Sequence, residues 1–164
     1  MRHLLVLSIA ALCVAGCGKS PGERLAEAAL EASTGQKVDV SEDGGKVTLK
    51  TDKGEMKISG GDGATLPAGF PQDVYLPAQY KVSSSMEMPG AMVLSLETDG
   101  QVAAMAADAS KRMQAQGWKQ TMAMQNEGDN QMFVFEKEQR NATVSFSRED
   151  DKVTVGLQVS SKQQ

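Results

Sequence analysis

Apolar and polar residues alternate in short runs over most of the chain after residue 36, which is the pattern of strands with one buried face. The first three runs are separated by turns rich in Asp and Gly, and their apolar pairs are Val38/Val40, Val47/Leu49 and Met56/Ile58. We therefore predict a small three-stranded β-meander over residues 36–59. The preceding stretch, 17–35, is predicted to be a tether and a short helix that ends at Gly35. Its apolar residues share one helical face: Leu25, Ala28, Ala29 and Ala32.

From residue 78 the pattern predicts two strands, one helix and four strands. The two strands form a hairpin around Pro89-Gly90, with these apolar positions: Tyr80, Val82 and Met86, then Met92, Leu94 and Leu96. The helix has a capping box of Thr98 and Gln101, ends at Gly117, and carries one apolar stripe: Val102, Met105, Ala106, Ala109 and Met113. The last strands are expected at 118–125, 132–138, 142–147 and 153–159.

These elements define the predicted fold class as α+β. One helix covers one face of an antiparallel sheet, so residues 78–160 should form a two-layer domain whose other face is wet. A linker rich in Gly and Pro, residues 60–77, joins this domain to the meander, and its apolar residues Phe70, Val74 and Tyr75 should pack on the domain. The pattern leaves open whether the meander is independent of the domain. A polar tail, 161–164, is expected to be disordered.

The N-terminus has a different pattern: Arg2 is followed by an apolar run from Leu4 to Ala15 that only Ser8 interrupts. About twelve residues at ~1.5 Å rise are too short to cross a hydrocarbon core of ~30 Å. Instead the run ends in Val14-Ala15-Gly16-Cys17, which resembles the lipobox of bacterial lipoproteins. The resemblance implies that residues 1–16 are a signal peptide and that Cys17 is the lipidated first residue of the mature chain. An Asp at the next position would favour the inner membrane. Gly18 stands there instead, which implies that the protein is sorted to the outer membrane, facing the periplasm.

Composition then narrows the function classes. Removing 1–16 takes away one basic residue and leaves 16 basic against 21 acidic side chains, which disfavours nucleic acid as a partner. The leader also holds His3 and Cys13, so lipidation of Cys17 leaves no free thiol, no disulfide and no imidazole. Cys/His pairs, Ser-His-Asp triads and the usual zinc sites are thereby excluded. We expect no catalytic residues and no cofactor, and therefore no enzyme.

Methionine is the one residue type in excess, and two pairs have i, i+2 spacing on predicted strands: Met86/Met88 and Met122/Met124. Two interpretations are open. The four side chains fill an irregular core, or they converge as a thioether site for Cu(I) or a small ligand. The core interpretation is favoured because sites made of Met alone usually recruit a His or Cys.

The mature chain also resembles a set of uncharacterised bacterial envelope lipoproteins. The motifs concerned are Gly-Gln-Lys-Val-Asp-Val from Gly35, a Pro-x-x-Phe-Pro-x-Asp-Val connector at 67–74, and a helix that ends Gln-Gly-Trp at 116–118. The resemblance implies no known activity. The expected function is a membrane-anchored, non-enzymatic binding or assembly module with a protein partner in the envelope; the alternative is the ligand-binding lipoprotein that uses the four methionines.

Overall fold

A computed structural model describes residues 19–40, 45–51, 54–125 and 129–161. The predicted signal peptide, the lipidation candidate Cys17 and residues 162–164 of the predicted tail lie outside the described residues. The helices are α1 (Pro21–Thr34) and α2 (Val102–Ala115), and a 3-10 turn spans Gly61–Gly63. The strands are β1 (Lys37–Val40), β2 (Lys46–Thr51), β3 (Gly54–Gly60), β4 (Lys81–Met88), β5 (Ala91–Thr98), β6 (Lys119–Gln125), β7 (Asn130–Lys137), β8 (Arg140–Glu149) and β9 (Lys152–Ser161).

All nine strands belong to one antiparallel sheet in the order β1-β2-β3-β4-β5-β9-β8-β7-β6. The predicted meander is β1 to β3, and it is joined to the main sheet because β3 pairs with β4 from Lys57 opposite Glu87 to Gly60 opposite Ser84. The α+β class is therefore confirmed, and the question that the sequence left open is answered by continuous strand pairing. Ser161, assigned to the disordered tail, instead ends β9 and donates its backbone N–H to the carbonyl of Gly90 at 2.8 Å.

The main core lies between one face of the sheet and a second layer made of α2 and the connector. Buried side chains from β5, β7, β8 and β9 meet four buried residues of α2: Val102, Ala106, Ala109 and Met113. The connector between the 3-10 turn and β4 adds Phe70, Val74 and Tyr75 to the same cluster. This confirms the predicted α2 stripe and the predicted packing of the connector, so a stretch with the composition of a linker completes the second layer.

The C-terminal end of α2 is fixed by hydrogen bonds that glycine makes possible. Gly117 has φ 86°, its N–H donates to Gln114, and the N–H of Trp118 donates to Met113. These bonds form a Schellman motif at Gly117, where the sequence predicts that α2 ends. The N-terminal prediction is wrong, because the Thr98 hydroxyl donates to the carbonyl of Gln79 at 2.6 Å and no side chain caps α2.

Helix α1 packs with the opposite face from the one predicted. It begins in a capping box of Ser20 and Glu23 and ends at Gly35 in the left-handed conformation, as its sequence suggests. Its apolar stripe, however, is exposed: Leu25, Ala28, Ala29 and Ala32. The carboxylates face the sheet instead, because Glu31 and Glu27 accept hydrogen bonds from the backbone N–H groups of Val38 and Val40 at 3.1 and 2.8 Å. Acidic side chains of α1 thus occupy donors at the β1 edge of the sheet.

Candidate functional site

The face of the sheet opposite α2, here called the open face, has a polar centre with an apolar patch at each end. The register places these residues at the centre: Ser95, Thr143, Ser145, Thr154 and Gln158. One end carries Met122 and Met124 on β6 beside Val134 and Met132 on β7. The other end carries Met86, Met88 and Ile58. A surface of this kind offers hydroxyl and amide groups for hydrogen bonds between two hydrophobic contact areas.

The four candidate methionines share the open face but do not converge. Five strand steps separate β4 from β6 in the sheet, which is about 24 Å at the usual strand spacing. Met122 and Met124 are 51% and 46% exposed, whereas Met86 and Met88 are partly buried. Both interpretations from the sequence are therefore corrected: none of the four is a fully buried core residue, and one chain does not bring them together as a thioether site.

A β-bulge explains why Met86 faces outward. The predicted alternation puts Val82 and Met86 on one face, but the pairing of β4 with β5 shifts between Val82 and Ser84. One extra residue reverses the alternation, so Ser85 takes the inward position opposite Leu94 and Met86 lies opposite Val93. Buried Ser85 is satisfied by the Ser59 hydroxyl at 2.7 Å.

Strand β6 is the outermost strand at one end of the sheet, and it gives the open face an exposed edge. It pairs with β7 on one side, and within the described residues no strand pairs with its other side. Between this edge and α2 lies a groove of about 650 Å³. Apart from Phe133, its walls are small or polar side chains, including Ala103, Ala107, Ser110, Gln114 and Gln125. An unpaired row of backbone donors and acceptors beside a groove is a geometry that accepts an added strand.

A larger cleft of about 740 Å³ lies where the N-terminal end of α2 meets β4 and β5. Tyr75 and Tyr80 line it, and burial raises the pKa of the Tyr75 phenol above its usual value. Most of its charged side chains already have ion-pair partners, since Lys152 contacts Asp99 at 2.7 Å, Asp108 contacts Arg112 at 3.5 Å and Lys81 contacts Asp62 at 2.9 Å. We therefore regard this cleft as a weaker candidate than the open face and its edge.

A cluster of charges around Trp118 holds the connector to the sheet. The Asp73 carboxylate accepts two hydrogen bonds from Arg140, at 3.0 and 2.7 Å, and one from Lys137 at 2.7 Å. These bonds, chiefly those from Arg140, lower the pKa of Asp73 to about 2. Trp118 is 2% exposed, donates its indole N–H to the carbonyl of Asp73 at 2.8 Å, and has the Arg140 guanidinium 4.8 Å from its ring centroid. Trp118 is therefore a buried member of this cluster.

The sequence shows only part of this cluster. The glycine before Trp118 predicts where the ring lies, but Asp73 is 67 residues from Arg140 and the two meet only through sheet pairing and connector packing. No local pattern links such positions. Every charged member of the cluster is paired, so the cluster stabilises the fold and presents no free acid, base or nucleophile.

The described parts of the chain contain no group of three or more His, Cys, Asp or Glu side chains that could hold a metal ion. None of the helices described is long and apolar enough to span a membrane. Cys17, the one site residue that the sequence predicts, lies outside the described ranges. Comparison of the chain with protein-family models, with curated proteins and with solved structures finds no match.

Proposed function

We propose that this protein is a lipid-anchored, non-enzymatic binding module of the bacterial cell envelope. The observation that carries the proposal is the sequence Val14-Ala15-Gly16-Cys17 at the end of a short apolar leader with Arg2 at its start. A diacylglyceryl group on the thiol and an acyl group on the amine would give several chains. Since each buried CH₂ contributes ~0.8 kcal/mol, several chains hold a protein stably where one is marginal.

The binding surface in this proposal is the open face together with the exposed edge of β6. The face combines hydroxyl and amide side chains with apolar patches, and exposed apolar patches with polar surroundings are typical of protein contact sites. The partner is a protein of the envelope. The Cu(I) alternative loses its main support because Met86 and Met88 lie about 24 Å from Met122 and Met124.

Membrane attachment is tested by replacing each leader cysteine in turn. Cys17→Ala should abolish incorporation of labelled fatty acid and lipoprotein-type cleavage, while Cys13→Ala, the matched control, should leave both unchanged. Lipid labelling that persists in the Cys17→Ala protein would refute the anchor. Sorting is a separate test: Gly18→Asp should move the protein to the inner membrane in a density gradient, whereas Gly18→Ala should leave it in the outer membrane.

The binding surface is tested by photo-crosslinking in intact cells. A crosslinking residue at Ser145, in the centre of the open face, should capture a defined envelope protein, and one at Ala29, on the exposed side of α1, should not. Equal products from both positions would contradict the assignment of the open face. Because both variants keep Cys17, failure of this test leaves the anchor unaffected.

A further inference from the structure

We propose that two copies of this chain pair through their β6 strands, antiparallel and with Ala123 opposite Ala123 of the partner subunit. This deepens the binding function proposed above, because it names the occupant of the β6 edge. It does not depend on the lipid anchor.

The two edge strands of the sheet, β1 and β6, differ in whether other groups cover their backbone donors and acceptors. At the β1 edge, carboxylates of α1 accept hydrogen bonds from the N–H groups of Val38 and Val40. At the β6 edge no such device is present among the described residues, and 120–125 contain no charge and no proline. Charged residues, proline and covering elements are the usual means of keeping an edge strand from pairing with another chain. In β6 the charge of Lys119 and the bulge between Gln120 and Met122 lie at the start of the strand. Residues 122–125 are regular and carry neither charge nor proline, so this part of the edge is competent for strand addition.

The sequence of β6 favours its own copy as the added strand. Residues 121–125 read Thr-Met-Ala-Met-Gln, which is a palindrome of polar and apolar positions about Ala123. In a two-fold antiparallel pair centred there, Met122 lies opposite Met124 of the partner subunit, and the same contact occurs again on the other side of the axis. Thr121 lies opposite the partner's Gln125. No like charges are brought together across residues 121–125.

The same register extends an apolar band across both copies. Within one chain, Met122 is opposite Val134 and Met124 is opposite Met132 on the open face. Pairing adds the partner's methionines at cross-strand Cβ distances of about 4.5–5.5 Å, which covers two side chains that are about half exposed in one chain. On the other face, Ala123 and Gln125 line the groove beside α2, where the partner strand presents the same small and polar side chains.

Cysteine scanning in the membrane-bound full chain tests the pairing and its register. A disulfide requires Cβ atoms within about 4.5 Å, so directly opposite positions should crosslink and diagonal ones should not. We expect Ala123→Cys to give a crosslinked dimer on non-reducing gels. Co-expressed Met122→Cys and Met124→Cys chains, carrying different tags, should crosslink to each other at least fivefold more than either does to itself. Val93→Cys, on the open face far from β6, is the matched control and should remain monomeric.

Three results would overturn the proposal. Ala123→Cys that crosslinks no more than Val93→Cys would exclude pairing of two copies. Preferential 122–122 or 124–124 products would exclude the register. Crosslinking of Ala123→Cys to a protein of different mass would show that the β6 edge binds another protein and not a second copy of this chain. Fractionation of every variant with the membrane separates these outcomes from failure of the anchor, and unchanged far-UV circular dichroism shows that each variant is folded.

Discussion

Replacing Trp118 by Ala is the sharpest test of how the connector is held to the sheet. The ring is 2% exposed, its indole N–H donates to the Asp73 carbonyl, and two cations lie near its face. Truncation of a buried large aromatic side chain costs about 3–5 kcal/mol, including the cavity. Because the Asp73 carbonyl also loses its donor, we expect a value near the upper end, about 4–5 kcal/mol.

Urea unfolding followed by far-UV circular dichroism measures this loss without using fluorescence, since Trp118 is the only tryptophan in the chain. With an m-value of about 2 kcal/mol/M, the midpoint should fall by about 2 M. Trp118→Phe keeps an aromatic ring but loses the N–H, so it should cost less, about 2 kcal/mol. Leu25→Ala, at a position that is 73% exposed, is the surface control and should change stability by less than about 0.5 kcal/mol. A loss below about 1 kcal/mol for Trp118→Ala would refute the packing described here.

The ion pairs of Asp73, the exposed methionines of β6 and the carboxylates of α1 can each be tested by substitution. A carboxyl whose pKa is lowered by folding stabilises the protein above its unfolded pKa, here 3.8, and this contribution is lost as pH falls through the folded value of about 2. The free energy of unfolding, measured by urea titration from pH 5 to pH 2, should therefore show a loss of about 2 kcal/mol that Asp73→Asn lacks. The same pH dependence in both proteins would contradict the ion pairs. Met122→Leu and Met124→Leu should each change the free energy of unfolding by less than about 0.5 kcal/mol in thermal unfolding, because both side chains are exposed. The wild type should bind no stoichiometric Cu(I). A four-sulfur Cu(I) complex in the monomer would contradict the strand order. Glu27→Ala should speed amide hydrogen exchange at Val40, and Glu31→Ala should speed it at Val38. Glu136→Ala is the control and should change neither. Unchanged exchange in the first two variants would show that α1 does not protect the β1 edge.

The helix and strand pattern was predictable where burial follows a regular period. The α2 stripe is an example, because Val102, Ala106, Ala109 and Met113 face one layer and nothing interrupts the helix. The glycine stop before Trp118 was predictable for the same reason: the left-handed residue and its hydrogen bonds are local.

What could not be predicted depends on contacts between distant segments. The pairing of β9 with both β5 and β8 joins distant segments of the chain, and the strand order that results separates the two methionine pairs. The bulge after Val82 reverses the face of Met86 without any proline or glycine to mark it. In α1 the apolar stripe suggested a buried face, but the edge N–H groups of β1 attract the carboxylates of Glu27 and Glu31, and these decide which side packs.

Intact-mass spectrometry of the chain extracted from bacterial membranes in detergent tests the proposal that the mature protein begins at a lipidated Cys17. We expect the mass of residues 17–164 increased by a diacylglyceryl group and an N-linked acyl chain. Mass spectra of the unmodified 164-residue chain, or of a chain cleaved elsewhere and carrying no lipid, would contradict it.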